Sequence, residues 1–160
     1  MAQRLTQYRT LVMPDYGGFD LYDADFDIRD DDLIKPARAQ GAAGNGREVC
    51  IVCAQTRLAV ELVIETWTAE PALLDGCEGY QEMPMEIPTG LLVISERTRG
   101  AWDISVSQGT YCSRISFFGR EAALEIVNEA PSTALSADHQ GTERYTFQMW
   151  PMTQSGTSSS

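Results

Sequence analysis

Short runs of β-branched and aromatic residues recur along the chain, and within several of them polar and apolar positions alternate. The clearest runs are Glu48–Ala54, Leu58–Thr68, Tyr80–Pro88, Gly90–Ser95, Ala101–Val106, Thr110–Phe118 and Arg144–Trp150. Alternation with a period of two is typical of half-buried strands, and turn signals about every ten residues favour a sandwich or a barrel. The pattern predicts an all-β fold, an antiparallel β-sandwich of about eight to nine strands.

Three segments break this regularity. Pro84 interrupts the run Tyr80–Pro88, and because proline cannot donate to a strand ladder, that strand must lie at an edge or contain a bulge. The segment Arg120–Glu129 fits both a short helix and a strand. A loop rich in glycine and alanine is predicted over Lys35–Gly46, preceded by a short helical turn at Asp30–Ile34.

The length and composition favour one folded unit. The chain has 160 residues, 43% of them hydrophobic, which is enough for one domain with its own core. We expect this domain to span residues 1–151 and the polar segment 152–160 to be a disordered tail. The N-terminus lacks the apolar stretch of a secretory signal, and no run is long and apolar enough to span a membrane. These features predict a cytoplasmic protein with reduced cysteines.

Acidic residues outnumber basic ones. The chain has 23 Asp and Glu but only 12 Lys and Arg, which gives a formal net charge of −11. Such a surface disfavours direct binding to nucleic acid or to an anionic membrane, because both depend on Lys and Arg. The charge is also uneven: eight Asp and one Arg between Asp15 and Asp32 give a net of −7.

The acidic segment contains a regular row of carboxylates. Within Phe19–Ile28, the residues Asp23, Asp25 and Asp27 alternate with apolar residues. A strand here would place all three carboxylates on its solvent face. Three interpretations remain: a charged edge strand that resists aggregation, a divalent-cation site, or a docking surface for a basic partner. The glycine and the terminal acid of a calcium-binding loop are missing, which argues against that kind of metal site.

Enzymatic signatures are weak. Cys50 and Cys53 form a C-x-x-C pair, but within a strand they face opposite sides, so buried structural thiols are the better interpretation. His139 is the one histidine and lies in a polar loop. A hydrolase would require His139 to converge with a carboxylate or with Cys112. The acids Glu61 and Glu65 are expected on a solvated sheet face. We predict no enzymatic activity and no cofactor.

The order of segments carries a resemblance. Its parts are an aromatic element over Tyr16–Ile28, the acidic turn Asp30–Ile34, a hairpin with Val49–Cys53 and Ala59–Thr68, the strand Tyr80–Pro88, the turn and strand over Ile104–Ile115, and the closing strand Glu143–Pro151. In this order the chain resembles the competence protein J family, small β-sandwich proteins regarded as inhibitors of a DNA-entry nuclease. The likeness covers most of residues 10–150, and it implies a bacterial inhibitor.

The resemblance and the charge together suggest a function. A nuclease cleft that receives phosphates is cationic, and a carboxylate-rich surface is complementary to it. The first hypothesis is an acidic inhibitor or immunity-type protein that binds a basic nuclease or toxin. The predicted partner-binding residues are Asp20, Asp23, Asp25, Asp27, Asp30, Asp31 and Asp32. The alternatives are a carbohydrate- or ligand-binding module and a small hydrolase. The binding module would use an exposed indole of Trp67, Trp102 or Trp150.

Overall fold

The computed structural model describes residues 1–26, 31–129 and 137–153, which form ten strands and two α-helices. The strands are β1 (Arg4–Val12), β2 (Gly18–Asp23), β3 (Ala42–Gly44), β4 (Glu48–Val52), β5 (Val60–Trp67), β6 (Gly79–Ile87), β7 (Leu91–Ser95), β8 (Ala101–Ser105), β9 (Gly109–Phe118) and β10 (Arg144–Pro151). The helices are α1 (Ile34–Gln40) and α2 (Arg120–Glu129). The predicted all-β class is confirmed.

The strands form two five-stranded sheets. The first has the order β1-β5-β10-β9-β6, and the second has the order β3-β4-β2-β7-β8. Every recorded pair of named strands is antiparallel except β5 and β10, so the predicted antiparallel sandwich contains one parallel pair. The parallel pair arises because β10 lies between β9, to which it is antiparallel, and β5, which runs in the same direction as β10.

The core lies between the inner faces of the two sheets. Alternate residues of the strands are buried there, as the period-two pattern predicts, with Leu62 and Ile64 of β5 as examples. The ring of Tyr145 meets Phe19 from the opposite sheet and Phe117 from its own, each at a centroid distance of 5.8 Å in an edge-on geometry. Such aromatic pairs add to the stabilisation from burial, and the pair of Tyr145 with Phe19 joins the two sheets.

One segment differs from its prediction, and another shows which of two predicted elements is present. The loop expected over residues 35–46 instead contains α1 and the short strand β3, which raises the strand number to ten. The helix ends where Gly41 adopts φ +92° and donates its N–H to the carbonyl of Ala37. The undecided segment 120–129 is helical, and Glu78 accepts a hydrogen bond from the N–H of Arg120 at its start. A carboxylate at that position stabilises a helix N-terminus.

The predicted edge position of Pro84 is confirmed, because β6 is the outermost strand of the first sheet. The predicted strand over 19–28 is present as far as Asp23, where β2 ends and the chain turns, and residues 27 and 28 lie outside the described residues. The N–H of Phe26 donates to the carbonyl of Asp23 at 2.9 Å, which closes the turn. Consequently Asp25 does not continue the strand face on which Asp23 lies.

Candidate docking surface

The predicted partner-binding aspartates do not share one environment. Asp20 lies within β2 and is only 4% exposed. Its carboxylate accepts hydrogen bonds from Nε of Arg97 at 3.0 Å and from Nη2 at 3.3 Å. This two-point geometry is the strong form of an arginine–carboxylate pair. Asp20 therefore stabilises the fold rather than presenting a charge to a partner.

Asp23 is also buried, with 3% exposure, and its carboxylate ties two segments together. One oxygen accepts the N–H of Asp25 at 2.9 Å, and the other accepts the N–H and hydroxyl of Thr89 at 3.0 and 2.7 Å. An aspartate that bonds the backbone two residues on makes an Asx turn. This turn ends β2 and explains why the alternating sequence does not continue as a strand.

The remaining aspartates of the segment are different. Asp25 is exposed in the turn after β2, and Asp31 and Asp32 are exposed on a short 3-10 turn that leads into α1. Leu33, the last residue of this turn, is buried in a cluster with Ala37, Ala43 and Cys50 and anchors the turn. Asp27 and Asp30 lie outside the described residues. The structure thus leaves Asp25, Asp31 and Asp32 as the described acids of this segment that offer charge to solvent.

Next to this segment lies a turn that sequence reasoning missed. Asp15 and Gly18 exchange backbone hydrogen bonds of 2.9 and 3.2 Å, which leaves Tyr16 and Gly17 at the tip. The hydroxyl of Thr98 donates to the carboxylate of Asp15 and lowers the pKa of that group. The glycine pair after Tyr16 is the signal that could have revealed this turn.

A recess of about 220 Å³ opens beside this turn. Its exposed lining includes Tyr16, Ile34 and Asp31, and its less accessible lining includes Cys50 and Arg97. The side chain of Tyr16 is 80% exposed and that of Ile34 is 37% exposed. The tip of the turn and Asp31 of the acidic segment therefore line the same recess, whereas Asp25 lies beyond the opposite end of β2.

The C-x-x-C pair is not a reactive site. Cys50 and Cys53 are both free and buried. Desolvation raises the pKa of Cys50 to about 12, and it also raises that of Cys53. A thiol must ionise to act as a nucleophile or as a metal ligand. The prediction of structural thiols agrees with this environment.

The hydrolase hypothesis based on His139 and Cys112 meets a geometric obstacle. Cys112 pairs with Trp150 near the end of β10, whereas His139 precedes the start of that strand at Arg144. Trp150 follows Arg144 by six positions along the strand, about 20 Å at a rise of about 3.3 Å per residue. A nucleophile and its base need direct hydrogen-bond contact, so these two residues do not form a dyad.

The three tryptophans do not form an exposed platform for a sugar. Trp150 is buried, with the guanidinium of Arg114 at 5.2 Å from its ring centroid. Trp102 and Trp67 are partly buried, and each donates its indole N–H to a neighbouring side chain. Carbohydrate binding through stacked indoles requires exposed rings, and none of the three tryptophans is an exposed residue.

One of the two acids of β5 also differs from the prediction, whereas Glu61 is partly exposed. Glu65 was expected on a solvated face but is buried, and it accepts hydrogen bonds from Gln7, Trp67 and Gln148. Burial opposes its ionisation, yet these hydrogen bonds outweigh burial and lower the pKa of Glu65. The face is covered in part because buried Arg114 holds Glu70 of the following segment at 2.8 Å.

Two further observations concern the described residues as a whole. Within residues 1–26, 31–129 and 137–153, no group of three or more His, Cys, Asp or Glu side chains is arranged to hold a metal ion. In the same part of the chain, no helix has the length and apolar character to cross a bilayer.

Comparison with known proteins gives a likeness in structure. No protein-family model and no curated protein matches the chain. Among solved structures, ComJ from Bacillus subtilis, described as the inhibitor of the DNA degrading activity of NucA, superposes with a TM-score of 0.60 at 12% identity. The match covers 95% of this chain and 99% of ComJ. The chain shares the ComJ fold.

A second structure, described as crocagin biosynthetic gene J, has the same architecture. It matches with a TM-score of 0.56 at 12% identity and covers 96% of this chain and 99% of its own. The ComJ-like fold therefore recurs in proteins whose names indicate different settings. The resemblance predicted from the order of segments is confirmed at the level of fold.

Proposed function

We propose that this protein is an inhibitor that binds a basic protein partner, with a nuclease as the first candidate. The observation that carries the proposal is the ComJ-like fold over 95% of the chain, since ComJ is described as a nuclease inhibitor. The net charge of −11 supports a cationic partner. A nuclease must attract the phosphates of DNA, and an acidic protein surface competes for the same cationic groups.

The docking surface that we assign consists of the exposed acids Asp25, Asp31 and Asp32. Of the larger predicted set, Asp20 and Asp23 are left out because they are buried and bonded within the fold, while Asp27 and Asp30 lie outside the described residues and stay predictions. Exposed carboxylates act mainly by steering association, so their effect weakens as salt increases. This surface requires no cofactor, and binding alone would block the partner.

The proposal is tested by capture followed by an activity assay. Tagged wild-type protein is used to recover partners from the native host at low and moderate salt, and the recovered protein is identified and purified. Its degradation of linear duplex DNA is then measured with and without the wild-type chain. We expect a basic nuclease whose activity falls when the chain is added, with weaker inhibition at higher salt.

A charge-reversal variant tests the assigned surface. Replacing Asp25, Asp31 and Asp32 by Lys should weaken inhibition at least tenfold at low salt. The matched control replaces three exposed acids on other elements by Lys, which changes the net charge equally: Asp103, Glu125 and Glu129. Equal loss in both variants would mean that overall charge, not this surface, determines binding. Recovery of no basic protein would contradict the proposed function itself.

A further inference from the structure

The turn at Asp15–Gly18 has an unusual residue at its tip. Tyr16 has φ +51° and Gly17 has φ +87°, the positive values that a type I′ turn requires at both central positions. Asn-Gly is the favoured sequence for such a turn, because asparagine tolerates this conformation far better than a bulky aromatic residue. A tyrosine at this position therefore makes the turn less stable than an asparagine would.

The surrounding structure holds this conformation in place. Nη1 of Arg97 donates to the carbonyl oxygens of Asp15 and Tyr16 at 3.1 and 3.0 Å, while its Nε is fixed by Asp20. Arg97 itself has φ +59°. Among the described residues, Tyr16 and Arg97 are the two non-glycine residues with positive φ, and they are hydrogen-bonded to each other. Strained residues that support one another in this way cluster at functional sites.

The strained tip does not contribute to the core. The tyrosine side chain is 80% exposed, so its ring gains little from burial in the free protein. It stands beside the 220 Å³ recess that Ile34 and Asp31 also line. An exposed aromatic residue on a rigid turn, next to an aliphatic side chain and acidic neighbours, has the composition of an interface hot spot.

We propose that Tyr16 is the anchor of the docking surface and contacts a cationic side chain of the basic partner. This inference rests on the proposed function and adds the residue that supplies affinity, whereas the aspartates supply steering. A Lys or Arg of the partner would lie over the tyrosine ring, with the carboxylate of Asp31 beside it. Because the turn is already rigid, little conformational entropy is lost when the partner binds.

The test separates stability from binding. Tyr16→Asn creates the favoured turn sequence and removes the ring, so we expect a melting temperature higher by about 2–4 °C and inhibition of the recovered nuclease weaker by at least tenfold. Tyr16→Phe retains the ring and should inhibit within about threefold of wild type. Tyr80→Ala is the matched control, because Tyr80 is an exposed tyrosine on a different element, β6. Its removal should leave inhibition unchanged.

The outcomes discriminate between the inference and the function on which it rests. Full inhibition by Tyr16→Asn, with the wild type active, would overturn the role of Tyr16 and leave the proposed function standing. If the wild-type chain inhibits no basic nuclease, both are overturned. Size-exclusion chromatography with light scattering adds a third outcome. A wild-type dimer that Tyr16→Asn converts to monomer would show that the turn serves a second copy of this chain instead.

Discussion

Replacing Asp20 by Asn should destabilise the protein far more than replacing the exposed Asp25. The carboxylate of Asp20 is 4% exposed and accepts two hydrogen bonds from Arg97, whose side chain is 17% exposed. Removing one member of a buried ion pair costs about 3–5 kcal/mol, and the partial access of water to Arg97 places this site at about 2–3 kcal/mol. The corresponding loss for Asp25→Asn is below about 0.5 kcal/mol.

The measurement is urea unfolding followed by tryptophan fluorescence. With an m-value of about 2 kcal/mol/M, Asp20→Asn should lower the urea midpoint by about 1–1.5 M. The melting temperature should fall by roughly 4–12 °C. Asp31→Asn is a second exposed control. The reasoning is refuted if Asp20→Asn and Asp25→Asn shift the midpoint equally, because burial and pairing would then have no energetic consequence at this site.

Three further predictions concern other parts of the fold. Gly119→Ala should lower the free energy of unfolding by at least about 3 kcal/mol, since the new Cβ would lie 1.9 Å from the carbonyl oxygen of Thr142. Gly76→Ala, where φ is +80° and the space is open, should lower it by only about 1 kcal/mol. Equal melting temperatures of the two variants would contradict this reasoning. Because the pKa of Glu65 is lowered below its usual 4.5, its contribution to stability is present above that value and lost as pH falls through the folded pKa. Glu65→Gln should therefore flatten the loss of stability below pH 5, and an unchanged slope would count against it. In the native protein, iodoacetamide should modify the partly exposed Cys77 before the buried Cys50. Peptide mass spectrometry follows the modification, and the reverse order would disprove the prediction.

The sequence predicts the sandwich well because strand signals are local. Alternation in β5 and β10, and the proline in β6, depend on which side chains face the core, and these patterns are visible without a structure. The parallel pairing of β5 with β10 is not local, since it depends on where α2 returns the chain. Period alone also cannot decide α2, because a ten-residue segment with few buried positions fits either element.

The candidate site was harder to predict for a different reason. A spacing of two residues indicates which aspartates alternate, but not where a strand stops. Asp23 stops β2 because its own carboxylate bonds the backbone of Asp25 and the side chain of Thr89, which is 66 residues away in sequence. Arg97, the partner of Asp20, is more distant still, at 77 residues. Charge was thus visible in the sequence, whereas its burial and its pairing were not.

The position of β10 also limits when the protein can fold. This strand is the last of those in the described residues, yet it lies between β5 and β9 at the centre of its sheet. A nascent chain that has reached β9 must therefore hold two strand edges apart, each with apolar residues such as Ile64 and Ile115, until Pro151 has left the ribosome. Synthesis at about 5–20 residues per second makes this a delay of seconds, during which unpaired edges invite aggregation. The first sheet is therefore complete only once β10 has inserted between β5 and β9.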